Sequence, residues 1–343
     1  MKQFDLQSLV RPNIWALQPY SCARDEFSGT NGTFLDANEN PFGTLNRYPD
    51  PYQRELKTAL SKIKHIAAEQ IFIGNGSDEI IDLIYRIFTN PGKDSVIICP
   101  PTYGMYEVSA NINDVNIINT PLLTDFQLDM DEIIKKTKFD SSIKLIFVCS
   151  PNNPTGNRLK DVKYLVENFN GIVVLDEAYI DFRADRTYLP KIKKHQNLIV
   201  LQTFSKAWAL AGGRVGMAYA QKEIIALMNK VKPPYNVSEL NQKAALQALL
   251  EEHDKKLSIS NIINEKEFLV EQLERLPIVK KIYPSDANFL LIEFSDANNT
   301  YNHLVEKKII VRNRHSQIEN CIRITVGTPN ENRLLLKELR SLK

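Results

Sequence analysis

The sequence predicts an α/β fold: a mostly parallel sheet covered by helices, followed by a smaller αβ unit. Two patterns predict it. Short, continuous apolar runs at residues 95–99, 145–149, 171–175 and 198–201 are spaced by helix-length segments such as 161–168. Strands that are apolar on both faces belong to sheets buried between helices. The second pattern is chemical. Ser77, Tyr103, Asn153, Asp176, Tyr179 and Lys206 each stand just after an apolar run, and open α/β sheets bind ligands beyond the carboxyl ends of their strands. One such residue is chance; six at one edge make a site. The 343 residues exceed the ~250–300 at which a single core stops growing, so two domains are expected.

Composition narrows the function classes. The chain is 43% hydrophobic and 24% charged, with a formal net charge of +2, and it carries no basic block. Nucleic-acid and membrane-surface roles are therefore not expected. Cys22, Cys99, Cys149 and Cys321 are scattered without metal-ligand spacing, and no metal site is expected. Cys99 and Cys149 lie inside apolar runs and read as small core residues of a reducing compartment. Residues 1–20 have neither a basic segment nor a continuous apolar one, so no signal peptide is predicted. No apolar run reaches the ~18 residues of a spanning helix. The predicted location is the cytoplasm.

Taken in order, residues 1–30 read as an arm, punctuated by Pro12, Pro19, Gly29 and Gly32 just beyond it, with no lasting period. Residues 35–43 are turn-rich, and a helix is predicted from Tyr52 to Lys64. At 71–81 a β-rich run meets Gly74-Asn75-Gly76, after which Ser77 and Asp78 open a helix. Such a turn aims backbone N–H groups and the helix dipole at an anion, although Gly-Asn-Gly lacks the third glycine of a dinucleotide fingerprint. Beyond Pro233-Pro234 a long amphipathic stretch, 238–276, leads to strands at 289–294, 309–311 and 321–326 and a closing helix at 334–342. The predicted division is an arm at 1–30, a large domain at 31–235 and a small domain at 236–343. Arg312 and Arg323 lie on the small domain's strands, where strand position alone suggests pairing with Glu293 or Glu319.

The apolar run at 198–201 delivers Lys206 into a stretch of small residues, with Arg214 eight positions on. A lysine after a strand end is ordinarily a surface lysine. In apolar surroundings beside an arginine, its charged form is disfavoured, which suits an amine that forms a Schiff base. Arg214, Ser205, Ser77 and the amides at 76–78 could hold a phosphate. Asp176 could pair with a protonated pyridine nitrogen, Tyr179 and Asn153 could bond a phenolate oxygen, and Tyr103 could stack on a ring. These are the groups that pyridoxal 5′-phosphate requires.

Ser-Pro-Asn-Asn-Pro-Thr-Gly at 150–156, Asp-Glu-Ala-Tyr at 176–179, and Ser205-Lys206 with Arg214 resemble the signature of fold-type I aminotransferases, over nearly the whole chain. Finer motifs are similar to those of the histidinol-phosphate aminotransferase family: Gln18-Pro19-Tyr20, residues 35–41, Arg47-Tyr48-Pro49-Asp50 and residues 322–328. The resemblance implies a seven-stranded, mostly parallel sheet and a pyridoxal phosphate aldimine on Lys206. It implies Asp176 on the ring nitrogen, Tyr179 and Asn153 on the ring hydroxyl, and Tyr103 against the ring. Gly76, Ser77, Asp78, Ser205 and Arg214 would surround the phosphate. Tyr48 would reach the neighbouring subunit's cofactor in a homodimer, and Tyr20, Asn38, Arg312 and Arg323 would contact substrate. The implied reaction moves the amino group of L-histidinol phosphate to 2-oxoglutarate, yielding imidazole acetol phosphate and L-glutamate. An aromatic aminotransferase or a threonine-phosphate decarboxylase would reuse the same cofactor groups. A silent cofactor-fold regulator would need an appended domain, or a missing lysine or aspartate.

Overall fold

In the computed structural model, which describes residues 4–21 and 32–342 without the side chains of 184–186, the apolar runs form a seven-stranded sheet. Its strands are β1 Ile71–Asn75, β2 Ser95–Ile98, β3 Asn116–Asn119, β4 Ile143–Cys149, β5 Ile172–Asp176, β6 Leu198–Thr203 and β7 Val215–Tyr219. Their spatial order is β1-β7-β6-β5-β4-β2-β3. Strand β7 is antiparallel to both neighbours, and the remaining pairs are parallel. Six strands therefore end at one edge, and β7 begins there.

Alternation along each strand feeds two cores. Ile172 and Val174 face one, while Val173 and Leu175 face the other. The first is covered by α4 Ser77–Phe88, α5 Met105–Ile112 and α8 Lys222–Val231, the second by α3 Arg54–Lys64, α6 Met130–Phe139 and α7 Val162–Asn168. The arm is more ordered than its sequence suggests. It forms α1 Leu6–Leu9 and α2 Pro12–Ala16, buries Val10 and Ile14, and accepts from Lys230 Nζ at the carbonyls of Ile14 and Trp15. Cys22 lies outside the described residues, whereas Cys99, Cys149 and Cys321 are free and buried.

The stretch at 238–276 is not one helix but two, α9 Glu239–Leu250 and α10 Glu252–Leu273. Val237 and, on α9, Ala245 and Leu249 join the core of the large sheet, which therefore continues past residue 235. The second sheet has the order β10-β11-β9-β8, with β8 Val279–Ile282, β9 Phe289–Phe294, β10 Arg312–Asn313 and β11 Cys321–Thr325. Residues 309–311 are loop rather than strand; pairing starts at Arg312, opposite Arg323. The end of α10, α11 Ala297–Glu306 and α12 Pro329–Arg340 cover this sheet. A small cluster of Tyr179, Phe182, Ala207, Ala287 and Phe289 joins the two sheets beside the carboxyl edge. No helix among the described residues is long and apolar enough to cross a membrane.

Candidate active site

The carboxyl edge gathers the polar residues because six strands end there and β7 begins there, so the segments that carry them meet at one place. After β1, Gly76 takes φ +79°, and α4 starts at Ser77 without a side-chain cap. A Cβ on Gly76 would lie 2.6 Å from Arg214 Nη2, so glycine leaves room for both the turn and the guanidinium. Arg214 arrives from the other direction, at the start of antiparallel β7. Its Nη2 donates to Asp78 Oδ2 at 3.3 Å and its Nη1 to Ser205 Oγ at 3.4 Å. Tyr103, after β2, donates its hydroxyl to Asp78 Oδ1 at 3.0 Å. The uncapped amides, Ser205 and Arg214 make an anion cup.

Asp176 closes β5 and is buried. It accepts from the Tyr106 hydroxyl at 2.7 Å and from the Ala178 amide at 3.0 Å. Burial raises its pKa, and these two bonds pull it back. Glu177, the next residue, has a separate role. Its carboxylate accepts from Thr187, the Tyr188 amide and Gln202, and is held as a buried structural anchor. Asn153 Nδ2 donates to Tyr179 Oη at 3.4 Å, while Asn153 Oδ1 accepts from Arg323. Tyr179 packs edge-on against Phe289, 5.1 Å between centroids.

Lys206 Nζ lies 5.4 Å from the Tyr179 ring centroid. Its side chain opens into the cavity. Partial burial by the cavity walls lowers its pKa, with Arg323 as the next cause; Asp176 and Asp78 oppose them, and Arg214 contributes less than Arg323. The cation that most favours a neutral lysine thus comes from the second sheet.

Ser77, Asp78, Tyr103, Asn153, Asp176, Tyr179, Ser205, Lys206, Arg214, Arg312 and Arg323 line one cavity of about 550 Å³. Four expected residues do not, the first being Gly76, which forms the turn beside it. Asn38 and Tyr48 line a different cavity, of about 470 Å³, where the Tyr48 ring stacks on Tyr235 at 4.3 Å. Tyr20 is 71% exposed, beside Tyr52 and Lys232. Neither Arg312 nor Arg323 forms an ion pair among the described residues, so the expected pairing with Glu293 or Glu319 is absent; Glu293 instead accepts from the Tyr283 hydroxyl.

Two residues were not singled out from sequence. Tyr106 stands three residues after Tyr103, early in α5, and reads as apolar core. Arg314 lines the cavity with Arg312, and their i, i+2 spacing in an extended segment was the available signal. Tyr106→Phe removes the hydroxyl that favours ionised Asp176. The acid limb of the kcat–pH profile is expected to move to higher pH, with little change in fold content by circular dichroism. An unmoved limb would mean that Tyr106 only fills space.

The donor set fits pyridoxal 5′-phosphate: an amine, a buried carboxylate opposite it, an Asn–Tyr pair, and an anion cup whose glycine a Cβ would fill. Fold and site together define a fold-type I pyridoxal-phosphate transferase. The chain belongs to the aminotransferase class I and II family, which it matches over residues 31–339. It is 52% identical to the histidinol-phosphate aminotransferase of Cytophaga hutchinsonii, over 98% of this chain and 99% of that one. It is 49% identical to the enzyme of the same name from Christiangramia forsetii, over 100% and 99%. Among solved structures, histidinol-phosphate aminotransferase from Sinorhizobium meliloti in complex with pyridoxal-5′-phosphate aligns with TM-score 0.79 and 23% identity, covering 90% of both chains.

Proposed function

We propose that this chain transfers the amino group of L-histidinol phosphate to 2-oxoglutarate, with pyridoxal 5′-phosphate as cofactor, giving imidazole acetol phosphate and L-glutamate. One observation carries the reading: a lysine and a buried aspartate share a cavity with Arg312, Arg314 and Arg323, which no carboxylate among the described residues pairs with. The names of the half-identical, full-length relatives support the same substrate and disfavour an aromatic donor or a decarboxylation. When bound, the cofactor supplies an electron sink for the substrate carbon.

The residues divide the work. The α4 amides, Ser205 and Arg214 bind the cofactor phosphate, and Tyr103 packs beside the ring. Asp176 holds a proton on the ring nitrogen through its charge, and Tyr106 and the Ala178 amide keep that carboxylate ionised and aimed. Asn153 and Tyr179 bond the ring oxygen. Lys206 would take the Cα proton at Nζ and hold it for return to the cofactor carbon, which requires the neutral amine that burial and Arg323 favour. Arg312 and Arg323 hold the anionic ends of the two substrates.

We further propose a cytoplasmic homodimer in which Tyr48 and Asn38, and Tyr20 from the arm, complete the partner's site. Their absence from the lining of this chain's Lys206 cavity supports that reading. So do the exposed apolar residues Leu35, Phe42, Leu45 and Leu240 on and around the same segment, since such a patch marks an interface. Side-by-side turnover of L-histidinol phosphate, L-phenylalanine and L-threonine phosphate tests the substrate. Preference for the first, with imidazole acetol phosphate as product, is expected. Preference for either of the others would reject the assignment.

A further inference from the structure

The cavity holds one more cation than the proposed chemistry has used. Arg312 and Arg323 face each other across β10 and β11, and Arg314 follows, its backbone N–H donating to the Cys321 carbonyl at 2.9 Å. All three line the cavity that contains Lys206. Like charges on paired strands repel, and the partly buried guanidinium groups of Arg314 and Arg323 are costly unless an anion compensates them. Among the described residues none does. The side-chain acceptors they have are neutral amides: Gln317 Oε1 for Arg314 Nη1, at 3.2 Å, and Asn153 Oδ1 for Arg323. The Nε of Arg314 and the Nε of Arg323 are both buried with no hydrogen-bond partner. Burial and the two neighbouring arginines push Arg314 down to about 10, which leaves it charged at neutral pH.

The three cations are not equivalent. Arg323 is engaged by Asn153, which bonds Tyr179 beside the reacting lysine, and it is the cation that acts most strongly on Lys206. A carboxylate, with one charge, is matched by one such arginine. A phosphate monoester carries about −1.5 to −2 charges at neutral pH with three acceptor oxygens. It is matched by two guanidinium forks.

We propose that Arg314 acts with Arg312 as the phosphate-reading pair of the substrate pocket, selecting an amine that bears a dianionic phosphate over the same amine without one. The inference rests on the reading of this cavity as the site of a phosphorylated amino donor. Asn313, between the two arginines, donates to Asn298 Oδ1 at 2.9 Å, which ties the segment to α11 and holds both arginines in place.

The test compares wild type, Arg314→Gln and Arg314→Lys as holoenzymes saturated with pyridoxal phosphate, so that the cofactor's own phosphate cup is filled. Arg314→Gln is expected to raise KM for L-histidinol phosphate about 10- to 100-fold, the scale of one charge-assisted contact, with kcat/KM for L-histidinol changed less than about twofold. Arg314→Lys, which keeps the charge and loses the fork, falls between. Inorganic phosphate titrated calorimetrically into the same proteins should lose affinity in the same order. Equal losses for both donors, or an unchanged phosphate affinity in Arg314→Gln, would overturn the proposal. A wild-type protein that ignores L-histidinol phosphate but binds inorganic phosphate through Arg314 would reject the substrate reading while upholding the anion site.

Discussion

Lys206→Ala is expected to fold normally, retain a weak hold on cofactor phosphate, and show no measurable turnover, a loss of at least about 10⁴-fold, the upper range of general acid–base catalysis. The loss has two sources. In the proposed roles, removing Nζ takes away both the group that would carry the cofactor and the group that would move the Cα proton, and among the described residues no other amine lines the cavity. The anion cup is built from α4, Ser205 and Arg214, none of which depends on Lys206, so reversible cofactor binding survives. Treatment with borohydride should trap cofactor on the wild-type chain and not on the variant. A variant with near-normal rates would show that another residue carries the chemistry.

Asp176→Ala is expected to lower kcat by about 10²- to 10⁴-fold, because a buried charge opposite the ring nitrogen acts where little solvent screens it. Stability should respond differently from activity. Burial raises the pKa of this carboxyl, so above its unfolded-state pKa the unfolded chain binds fewer protons than the folded one. Its ionisation therefore opposes folding as pH rises from the unfolded value toward the folded one. Asp176→Asn, which preserves an acceptor for Tyr106, is expected to melt no lower than wild type at neutral pH when both lack cofactor, while remaining as inactive as the alanine variant. A marked drop in the melting temperature of Asp176→Asn would instead make Asp176 a structural keystone. The site thus trades stability for chemistry.

The sheet was legible in the sequence where strands are buried on both faces. Runs such as Ile172-Val173-Val174-Leu175 have no other use than a two-sided core. Strands with solvent-facing ends were not: β3, Asn-Ile-Ile-Asn at the sheet edge, and β8, with Lys280 and Lys281 exposed at its centre, carry too little apolar signal. Most residues of the Lys206 cavity were legible because they follow a strand within a few positions, whereas Arg214 precedes one. Contacts made across the chain were not. Nothing local to Lys206 indicates that Arg323, more than a hundred residues away, tunes it more than Arg214 does. Likewise Asp-Glu at 176–177 looks like a pair, and only the fold assigns one carboxylate to the cavity and the other to Thr187, Tyr188 and Gln202. Tyr106 reads as an apolar core residue until its hydroxyl is found on Asp176.

The central claim is that Lys206 holds pyridoxal phosphate in a site that accepts L-histidinol phosphate. The most direct measurement is the absorbance of the purified protein, recorded before and after adding L-histidinol phosphate with no oxo acid present. The account predicts a yellow band that bleaches to the amine form of the cofactor and returns on adding 2-oxoglutarate. A yellow protein that bleaches with aromatic amino acids alone would contradict the substrate. A protein that stays colourless after incubation with pyridoxal phosphate would contradict the role of Lys206 itself.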